Sequence, residues 1–419
     1  MGKQIEFETP TGGALEGLIV VDLTQHLAGP YCTQLLADQG ATVIKVEPWE
    51  GDSIRHAGPF RVDDKERHYG GYFQSCNRNK FGMVVDLKKP GGVTVLKHMV
   101  SRADVLVENY RAGVMERIGL GYEVLREINP RLVYATLRGF GDARTGKTPY
   151  TDWPAYEVVA QAFGGIIGIT GPDASTPIKV GPGVGDIFPG TLTAVGLLSA
   201  LYRAQKTGKG QFVDVAMADG ILALCERIVY QYSYENRVPG PEGNLHPVFS
   251  PFGMFPARDG WVTIAGHLDT SWAQLCKFMG RPELITDERF ADRHRRIRHN
   301  DQVYQAVSAW TQLHTKQELI AILGGKVAFG PVYNVEEIYA DAHFKARNMI
   351  AKVEQPGSAT PVSIVNTPIH MGDTPGGVRQ RAPLLGEHTD EMLGFFGYSK
   401  DDITKLHADK AVRGAIPKQ

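Results

Sequence analysis

Leu18-Ile-Val-Val-Asp-Leu23, Tyr31-Cys-Thr-Gln-Leu-Leu-Ala-Asp38 and Thr42-Val-Ile-Lys-Val46 place a strand, a helix and a second strand in close succession. The first and third segments are short, apolar and rich in β-branched residues, which is typical of strands buried on both faces of a sheet. The middle segment has the apolar spacing of a helix, and Gly40 behind it is a C-terminal helix signal. The three segments therefore predict a strand–helix–strand unit with parallel strands.

The same alternation continues beyond this first unit. Further strands are predicted at 83–87, 104–107 and 131–137, and further helices at 92–100 and 122–128. Strands that alternate with helices of this length predict the α/β class, with a Rossmann-like parallel sheet that is covered on both faces.

The pattern changes after Val213-Asp-Val-Ala-Met217. One long helix is predicted over 218–236, then two strands around the turn Ala257-Arg-Asp-Gly260, then helices to about residue 323. We therefore expect a discontinuous large domain and a smaller α+β domain. The expected divisions are the large domain over 1–205, a linker over 206–225, the small domain over 226–325, and a tail over 326–419 that returns to the large domain.

The composition is that of an ordinary globular protein, with 42% hydrophobic residues, 22% charged residues and a net charge of -1. A nearly neutral chain gives no reason to expect nucleic-acid or membrane binding. No apolar stretch is expected to span a bilayer, and the N-terminus has no secretory signal. The 4 cysteines and 13 histidines show no metal-ligand spacing. This predicts reduced, buried thiols in a cytoplasmic protein without a metal site.

Gly181-Pro-Gly-Val-Gly-Asp186-Ile-Phe-Pro-Gly190 places one carboxylate among four glycines, just before an apolar run over 191–202. The run predicts a buried helix with Asp186 near its N-terminal end. A helix N-terminus favours negative charge, which would keep Asp186 ionised and able to attack an electrophile. The alternative is that Asp186 only caps the helix, since aspartate is among the preferred N-cap residues.

Nucleotide-binding signatures are absent from the sequence. Glu47 ends the second strand, where a ribose-binding acid would be expected in a dinucleotide-binding fold. The first turn, however, reads Gln25-His-Leu-Ala-Gly-Pro30 rather than GxGxxG, and no GxxxxGK[ST] occurs. A redox nucleotide cofactor is therefore not expected.

Several segments resemble, in order, the class III CoA-transferases, the CaiB/BaiF-type family that includes formyl-CoA:oxalate transferase. They extend over nearly the whole chain, and their number and order make the resemblance specific. The segments are Gly17–Thr24, Ala28–Pro30, Gly40–Pro48, Asn77–Lys80, Val85–Leu87, Ala103–Tyr110, Arg117–Gly119, Gly185–Asp186, Gly330–Val332 and Arg381–His388.

The resemblance implies that CoA moves between an acyl-CoA and a free carboxylic acid through a thioester on Asp186. This is covalent catalysis, which divides one difficult exchange into easier steps. The acid is expected to be a small dicarboxylate or a related acid, and the glycines around Asp186 are expected to let substrates approach the backbone.

The resemblance also implies a set of residues that bind the CoA substrate. Gln25, His26, Leu27 and Ala28 would line the pantetheine arm, with Pro48 nearby. Lys80, beside Asn77 and Arg78, is expected to contact the nucleotide phosphates. Asn109, Tyr110 and Arg111 would border the adenine, and Arg117 would contact a phosphate. A wall over 154–157, with Tyr156 and Glu157, would stand beside Asp186.

Two positions depart from formyl-CoA transferase. That enzyme has a glutamine where this chain has Leu27, and a glycine-only loop where this chain has Gly243-Asn-Leu-His-Pro-Val-Phe-Ser-Pro-Phe252. Both differences argue against formyl-CoA and oxalate as the substrate pair.

An isomerase is the alternative, because the family also contains α-methylacyl-CoA racemases. These pair the aspartate with a histidine that would fall at Tyr156, and a phenol with a pKa near 10 is a poor partner for proton exchange at neutral pH. The sequence therefore favours transfer. Finally, the resemblance implies a homodimer whose two chains interlock.

Overall fold

The computed structural model describes residues 11–65, 67 and 69–415. The first ten residues, on which the expected absence of a secretory signal rests, lie outside that part of the chain. The described strands are β1 (Ile19–Asp22), β2 (Thr42–Glu47), β3 (Lys80–Val85), β4 (Val105–Glu108), β5 (Val133–Arg138), β6 (Phe212–Ala216), β7 (Phe252–Ala257), β8 (Gly260–Ala265), β9 (Phe329–Pro331), β10 (Ile350–Val353), β11 (Val362–Val365) and β12 (Val412–Arg413).

The described α-helices are found in both halves of the chain. They are α1 (Ala28–Asp38), α2 (Gly71–Cys76), α3 (Pro90–Val100), α4 (Val114–Arg117), α5 (Tyr122–Ile128), α6 (Ala143–Gly146), α7 (Glu157–Phe163), α8 (Val184–Thr207), α9 (Met217–Leu224), α10 (Glu226–Glu235), α11 (Asp269–Phe278), α12 (Arg293–Arg298), α13 (Asn300–Thr311), α14 (Lys316–Leu323), α15 (Val335–Ala340), α16 (Ala342–Ala346), α17 (Thr389–Phe395) and α18 (Lys400–Ala408).

The chain divides into two compact units. Unit 1 comprises 1–166, 180–227 and 343–419, and unit 2 comprises 167–179 and 228–342. Unit 1 contains a seven-stranded sheet in the order β12-β3-β2-β1-β4-β5-β6. Strands β1 to β6 are parallel, and β12 pairs antiparallel to β3. The order of the six parallel strands is that of the doubly wound dinucleotide-binding fold, so the predicted Rossmann-like sheet is confirmed.

Apolar side chains cover the sheet of unit 1 on both faces. One core cluster combines strand residues such as Ile44 and Leu106 with Leu96 of α3 and Phe396 beside α17. The other packs strand residues of the opposite face against α1 and against Leu197 of α8. Alternate residues of each strand enter opposite clusters, which is why the strand segments are apolar throughout rather than alternating.

The segment over 206–225 is not a linker, contrary to the prediction. Helix α8 continues to Thr207, and β6 then pairs with β5 in the main sheet. The sequence also predicted one helix over 218–236, but α9 ends at Leu224 and α10 begins at Glu226. Cys225, between them, has φ -81° and ψ 51°, outside the helical region.

Helix α8 corrects a second expectation, since its length and composition would allow it to cross a membrane. In the structure it packs on α1, β5 and β6, and Leu197 and Ala200 are buried there. The core of unit 1 therefore accounts for much of its apolar character.

Unit 2 has a separate core. Strands β7, β8 and β9 form an antiparallel sheet, and the predicted turn Ala257–Gly260 joins β7 to β8. Its core combines Phe255 and Ile264 with Trp272, Val303 and Leu319 of the helices. The unit also includes 167–179, which the sequence did not place there; the Gly243 N–H donates to the Gly171 carbonyl at 3.1 Å.

Candidate active site

Asp186 lies in the first turn of α8, at one end of a helix that is otherwise anchored in the core of unit 1. The N-cap residue is Gly183, and no side chain caps the helix. Asp186 is therefore not the cap, which removes the structural alternative considered for it. Its carboxylate lines a cavity together with residues of the β1–α1 loop, the segment after β4 and the segment before α7.

The sequence predicted that Asp186 is ionised, whereas its surroundings in the structure disfavour the ionised form. Burial, together with the negative charge of Glu157, raises the pKa of Asp186 to about 7. Glu157 begins α7, where its Oε1 accepts hydrogen bonds from Gln161 and from the Gly185 N–H. Two carboxylates thus share one region, and at neutral pH Asp186 is present in both protonation states.

Three glycines around Asp186 are needed for close packing of the chain against itself. A Cβ on Gly183 would lie 2.9 Å from Leu27 Cδ2, and one on Gly185 would lie 2.4 Å from the Glu157 carbonyl oxygen. A Cβ on Gly190 would lie 2.6 Å from the Ala28 carbonyl oxygen. These glycines bring α8 against α7 and α1, whereas the sequence suggested that they open the backbone to substrate.

The cavity brings together many of the predicted site residues. It is lined by Gln25, His26, Ala28, Asn109, Tyr110, Arg111, Pro154, Ala155, Tyr156 and Asp186, together with Ala112, Leu137, Arg138, Gly139, Thr151, Asp152, Trp153 and Met217. The rings of His26 and Tyr156 meet edge to face, with centroids 5.7 Å apart. The predicted wall over 154–157 therefore does stand beside Asp186.

Hydrogen bonds from side chains outside the β1–α1 loop fix its backbone. The Asn109 carboxamide accepts from the Gln25 N–H at 2.9 Å and donates to the Gln25 carbonyl at 2.8 Å. The Asp52 carboxylate accepts from the His26 N–H at 3.2 Å, and Lys45 bonds both Asp52 and the Thr24 carbonyl. His26 has φ 67°, a left-handed conformation that is uncommon outside glycine. The surrounding hydrogen bonds hold it there.

The predicted phosphate contacts of Lys80, Asn77 and Arg78 are wrong. Lys80 is fully buried, and its ammonium group donates to Asp22, to Asn77 Oδ1 and to the Pro30 carbonyl. Arg78 is buried in an ion pair with Asp38. Lys80 and Arg78 thus bind residues of α1, namely the Pro30 carbonyl and Asp38. Because a buried charge requires a partner, these contacts occupy both cations, and neither is free to bind a nucleotide phosphate.

Leu27, Pro48 and Arg117 are not among the residues that line the cavity. Leu27 packs into a cluster with Phe73 and Cys76, and Pro48 follows β2. Arg117 ends α4 and is exposed, as is Arg111 in the lining. Solvent therefore reaches both Arg111, which was predicted to border the adenine, and Arg117, which was predicted to contact a phosphate.

The sequence missed several residues of the cavity lining, among them Arg138. Arg138 is paired with Glu108 at 2.5 Å and donates to the Tyr110 carbonyl at 3.0 Å. Burial raises the pKa of Glu108 to about 7, although the opposing charge of Arg138 acts to lower it. Arg138 follows a predicted strand, and the carboxyl ends of parallel strands are where sites form, so that signal was available.

Comparisons with known proteins give a consistent result. The sequence model of CoA-transferase family III matches residues 15–389. A succinyl-CoA:mesaconate CoA-transferase of Haloarcula hispanica is 47% identical over 384 residues, which cover 91% of this chain and 96% of that protein. A succinyl-CoA–D-citramalate CoA-transferase of Chloroflexus aurantiacus is 36% identical over 402 residues, covering 95% and 98%. A crystal structure of a CaiB/BaiF family protein from Brucella suis has a TM-score of 0.81 at 33% identity, covering 92% and 99%.

Proposed function

This chain belongs to CoA-transferase family III and is a CoA-transferase, and we propose that it moves CoA between succinyl-CoA and a methyl-branched dicarboxylate of the mesaconate type. The observation that carries the proposal is the Asp186 carboxylate in the first turn of α8, facing a cavity with a rigid β1–α1 loop. The choice of acid is supported by the two similar enzymes, since mesaconate and citramalate are both methyl-branched dicarboxylates.

The reaction proceeds through covalent exchange at Asp186. Its carboxylate attacks the thioester carbonyl of the acyl-CoA and expels the CoA thiolate, leaving a mixed anhydride. The thiolate then attacks the aspartyl carbonyl and expels the first acid as its carboxylate, so that CoA is held on Asp186 as a thioester. The incoming acid reverses these two steps and leaves as its CoA ester.

The charge of Asp186 suits this exchange. A carboxylate with a raised pKa is a better nucleophile than an ordinary one, while a pKa of about 7 still leaves a large ionised fraction at neutral pH. The cavity around it is lined by polar residues such as Gln25 and Asn109 as well as by Ala28, Leu137 and Gly139.

CoA binding is assigned to the loop and the exposed arginines. The pantetheine arm follows the backbone over 25–28, the adenine borders Tyr110 and Arg111, and Arg117 meets a phosphate. Support comes from the fixed loop geometry and from the exposure of both arginines.

A homodimer whose two chains interlock completes the proposal. Its support is an apolar stripe on α8 formed by Val195, Leu198 and Tyr202, which are 58%, 41% and 61% exposed. Residues at this spacing share one face of a helix. The four free, buried cysteines support the proposed cytoplasmic location.

A substrate screen tests the proposed pair. Succinyl-, acetyl- and formyl-CoA are each incubated with mesaconate, citramalate, malate, oxalate and acetate, and CoA-ester products are identified by mass. Succinyl-CoA with a methyl-branched dicarboxylate should give the highest kcat/KM. A preference for formyl-CoA and oxalate, or for monocarboxylates, would overturn the assignment of the acid.

A trapping experiment tests the covalent step. With acyl-CoA alone, mass spectrometry should find CoA on the peptide that contains Asp186, or a hydroxamate there after hydroxylamine. Asp186→Asn should lose at least about a thousandfold in rate, because the covalent route is gone. Rapid α-deuteration of a 2-methylacyl-CoA in heavy water without an adduct would instead indicate the isomerase chemistry.

The same variant provides its own folding control. Burial raises the pKa of Asp186 above its unfolded value, so the ionised group weakens folding as pH rises from about 4 through about 7. At pH 8, Asp186→Asn should therefore melt at or above the wild-type temperature. Inactivity with an unchanged or higher Tm then reports chemistry and not unfolding.

A further inference from the structure

His26 contributes an imidazole to the lining of the cavity that contains Asp186. The residue belongs to the β1–α1 loop and is half-buried. The proposed path of the pantetheine arm uses the backbone of this loop, which leaves the His26 side chain for another part of the substrate.

The loop that carries His26 packs against the helix turn that carries Asp186. Leu27, the next residue, reaches Gly183 so closely that a Cβ on that glycine would lie 2.9 Å from Leu27 Cδ2. Gly183 is the N-cap of α8, and Asp186 follows in the first turn. His26 and Asp186 therefore share one cavity within unit 1 and are joined by direct packing of the chain.

The position of the His26 ring is fixed from two sides. Its backbone has φ 67°, a left-handed conformation in which histidine is among the more frequent non-glycine residues. Asp52 accepts from its N–H at 3.2 Å, and its carbonyl accepts from the Cys76 thiol at 3.7 Å. Its ring meets the ring of Tyr156, another lining residue, edge to face with centroids 5.7 Å apart. Backbone and ring contacts thus hold the imidazole in the lining.

The imidazole of His26 has hydrogen-bonding capacity that the described residues do not use. Among them, neither ring nitrogen is hydrogen-bonded, and neither is sealed from solvent. Two other polar lining residues differ, since the Asn109 carboxamide bonds the Gln25 backbone and Arg138 is paired with Glu108. A neutral imidazole carries one N–H donor in either tautomer, and a protonated one carries two. The cavity therefore contains a donor that a ligand can use.

The proposed acid needs such a donor. When one carboxyl group of a dicarboxylate reacts at Asp186, the other is carried into the same cavity. A carboxylate that leaves water is strongly disfavoured unless it is hydrogen-bonded. The negative charge of Glu157 acts on this region, and Asp152 is part of the lining, so the cavity has acids that repel a second carboxylate. A neutral or cationic donor offsets both effects.

Building on the proposed function, we infer that the His26 imidazole donates a hydrogen bond to the second carboxylate of the dicarboxylate, the one that does not react at Asp186. One subsite serves both half-reactions, because the succinyl group of the donor and the acceptor acid react at Asp186 in turn. A hydrogen bond to a charged acceptor is stronger than a neutral one, and a monocarboxylate lacks that acceptor. His26 is thus a specificity residue that selects dicarboxylates.

His26→Phe tests this inference, because it removes the N–H donor and keeps a ring beside Tyr156. Succinyl-CoA and butyryl-CoA are the matched substrates, since a methyl group replaces the second carboxylate. Rapid quench gives the rate of CoA attachment to Asp186 from each. The preference for succinyl-CoA should fall about 10- to 100-fold, as for a lost hydrogen bond to a charged group. The inhibition constant of free CoA should stay within twofold of wild type.

His98→Phe is the matched control. His98 also meets a tyrosine ring edge to face, that of Tyr398. Its Nε2, however, is hydrogen-bonded to the Phe396 carbonyl at 2.8 Å, and it is not among the residues that line the cavity. This variant should keep the wild-type preference for succinyl-CoA.

The outcomes separate the inference from the proposed function. Where wild type labels Asp186, the inference alone is overturned if wild type does not prefer succinyl-CoA or if the preference of His26→Phe is within threefold of wild type. An equal loss of rate with both acyl-CoAs also overturns it, since CoA binding is then impaired. Wild type that never labels Asp186 overturns the proposed function and the inference together. A thermal melt checks folding. If His26→Phe is unfolded, His26→Gly, which suits a left-handed backbone, is subjected to the same assays with the same expected result.

Discussion

At the scale of single residues, Asp186 must be ionised to attack yet sits where ionisation is unfavourable. Burial is the larger cause of its raised pKa, and the neighbouring charge of Glu157 adds to it. The two effects can be separated experimentally, since a substitution at Glu157 can remove the charge and leave the burial in place.

Glu157→Gln should move the pH profile of thioester formation. In wild type the rate of CoA attachment to Asp186 should rise with pH through about 7 and then level off, because only the carboxylate attacks. Removing the negative charge lowers the pKa of Asp186, so the midpoint should move to lower pH, by roughly one unit. Rapid-quench measurement of the Asp186 adduct between pH 5 and 9 gives both midpoints.

Glu123→Gln is the control for this profile. Glu123 is an exposed acid on α5, 69% exposed, and removing its charge should leave the midpoint where it is. A midpoint that moves upward in Glu157→Gln, or that moves equally in both variants, would contradict the assigned cause.

Single residues also mark the limit of sequence reasoning. The place of Asp186 at the start of a helix could be predicted from the local sequence, whereas its catalytic role was inferred from the family resemblance and not from the local pattern. The role of Lys80 could not be predicted, because its partner Asp22 is 58 positions away and nothing local announces that pairing.

At the scale of elements, the β1–α1 loop is held by Asn109 from the end of β4. A partly buried carboxamide that satisfies both the N–H and the carbonyl of Gln25 fixes the loop backbone before any ligand arrives. Such preorganisation lowers the entropy that binding would otherwise cost.

Asn109→Ala should therefore impair acyl-CoA use as well as stability. We expect a loss of about 1–3 kcal/mol in the free energy of unfolding from the unpaired backbone groups. We also expect a rise of about tenfold in KM for succinyl-CoA, since the loop is no longer preorganised. Denaturant melts and steady-state kinetics measure the two effects.

Asn129→Ala is a closely matched control. The Asn129 carboxamide also bonds loop backbone, donating to the Val100 and Ala103 carbonyls, but it is not part of the cavity. It should lose comparable stability and keep the wild-type KM. Equal rises in KM for both variants would show that destabilisation alone explains the effect.

Most elements of the main sheet follow from local patterns. The strands β1 to β5 were predicted within a few residues, because fully buried parallel strands form continuous apolar runs. Strand β12 has two residues, which is too short for any pattern, and β6 was assigned to a linker although its apolar run was noted. Its pairing with β5 depends on α8 returning the chain to the sheet.

At the scale of the whole molecule, the chain was predicted to return to the large domain at residue 326 but does so at 343, because β9 still pairs with β8 in unit 2. The excursion over 167–179 was not predicted. The tail contains β12, which pairs with β3. The excursion joins unit 2 through contacts such as that between Gly171 and Gly243, which are distant in sequence and carry no repeating pattern.

The apolar stripe of α8 bears on the assembly of the protein. We expect a homodimer that persists at nanomolar concentration. The apolar stripe of α8 would otherwise remain in water, and interlocked chains cannot separate without unfolding.

Leu198→Asp puts a charge into that stripe and should give aggregated, unfolded or monomeric protein. Val124→Asp is the control, since Val124 is a 39% exposed residue on α5, and this variant should remain a dimer. Sedimentation velocity gives the oligomeric state of both variants, and of the wild-type protein over a series of dilutions. Folded wild-type monomer at nanomolar concentration, or dimeric Leu198→Asp, would refute the assignment, since a charge buried in an apolar interface without a partner is strongly unfavourable.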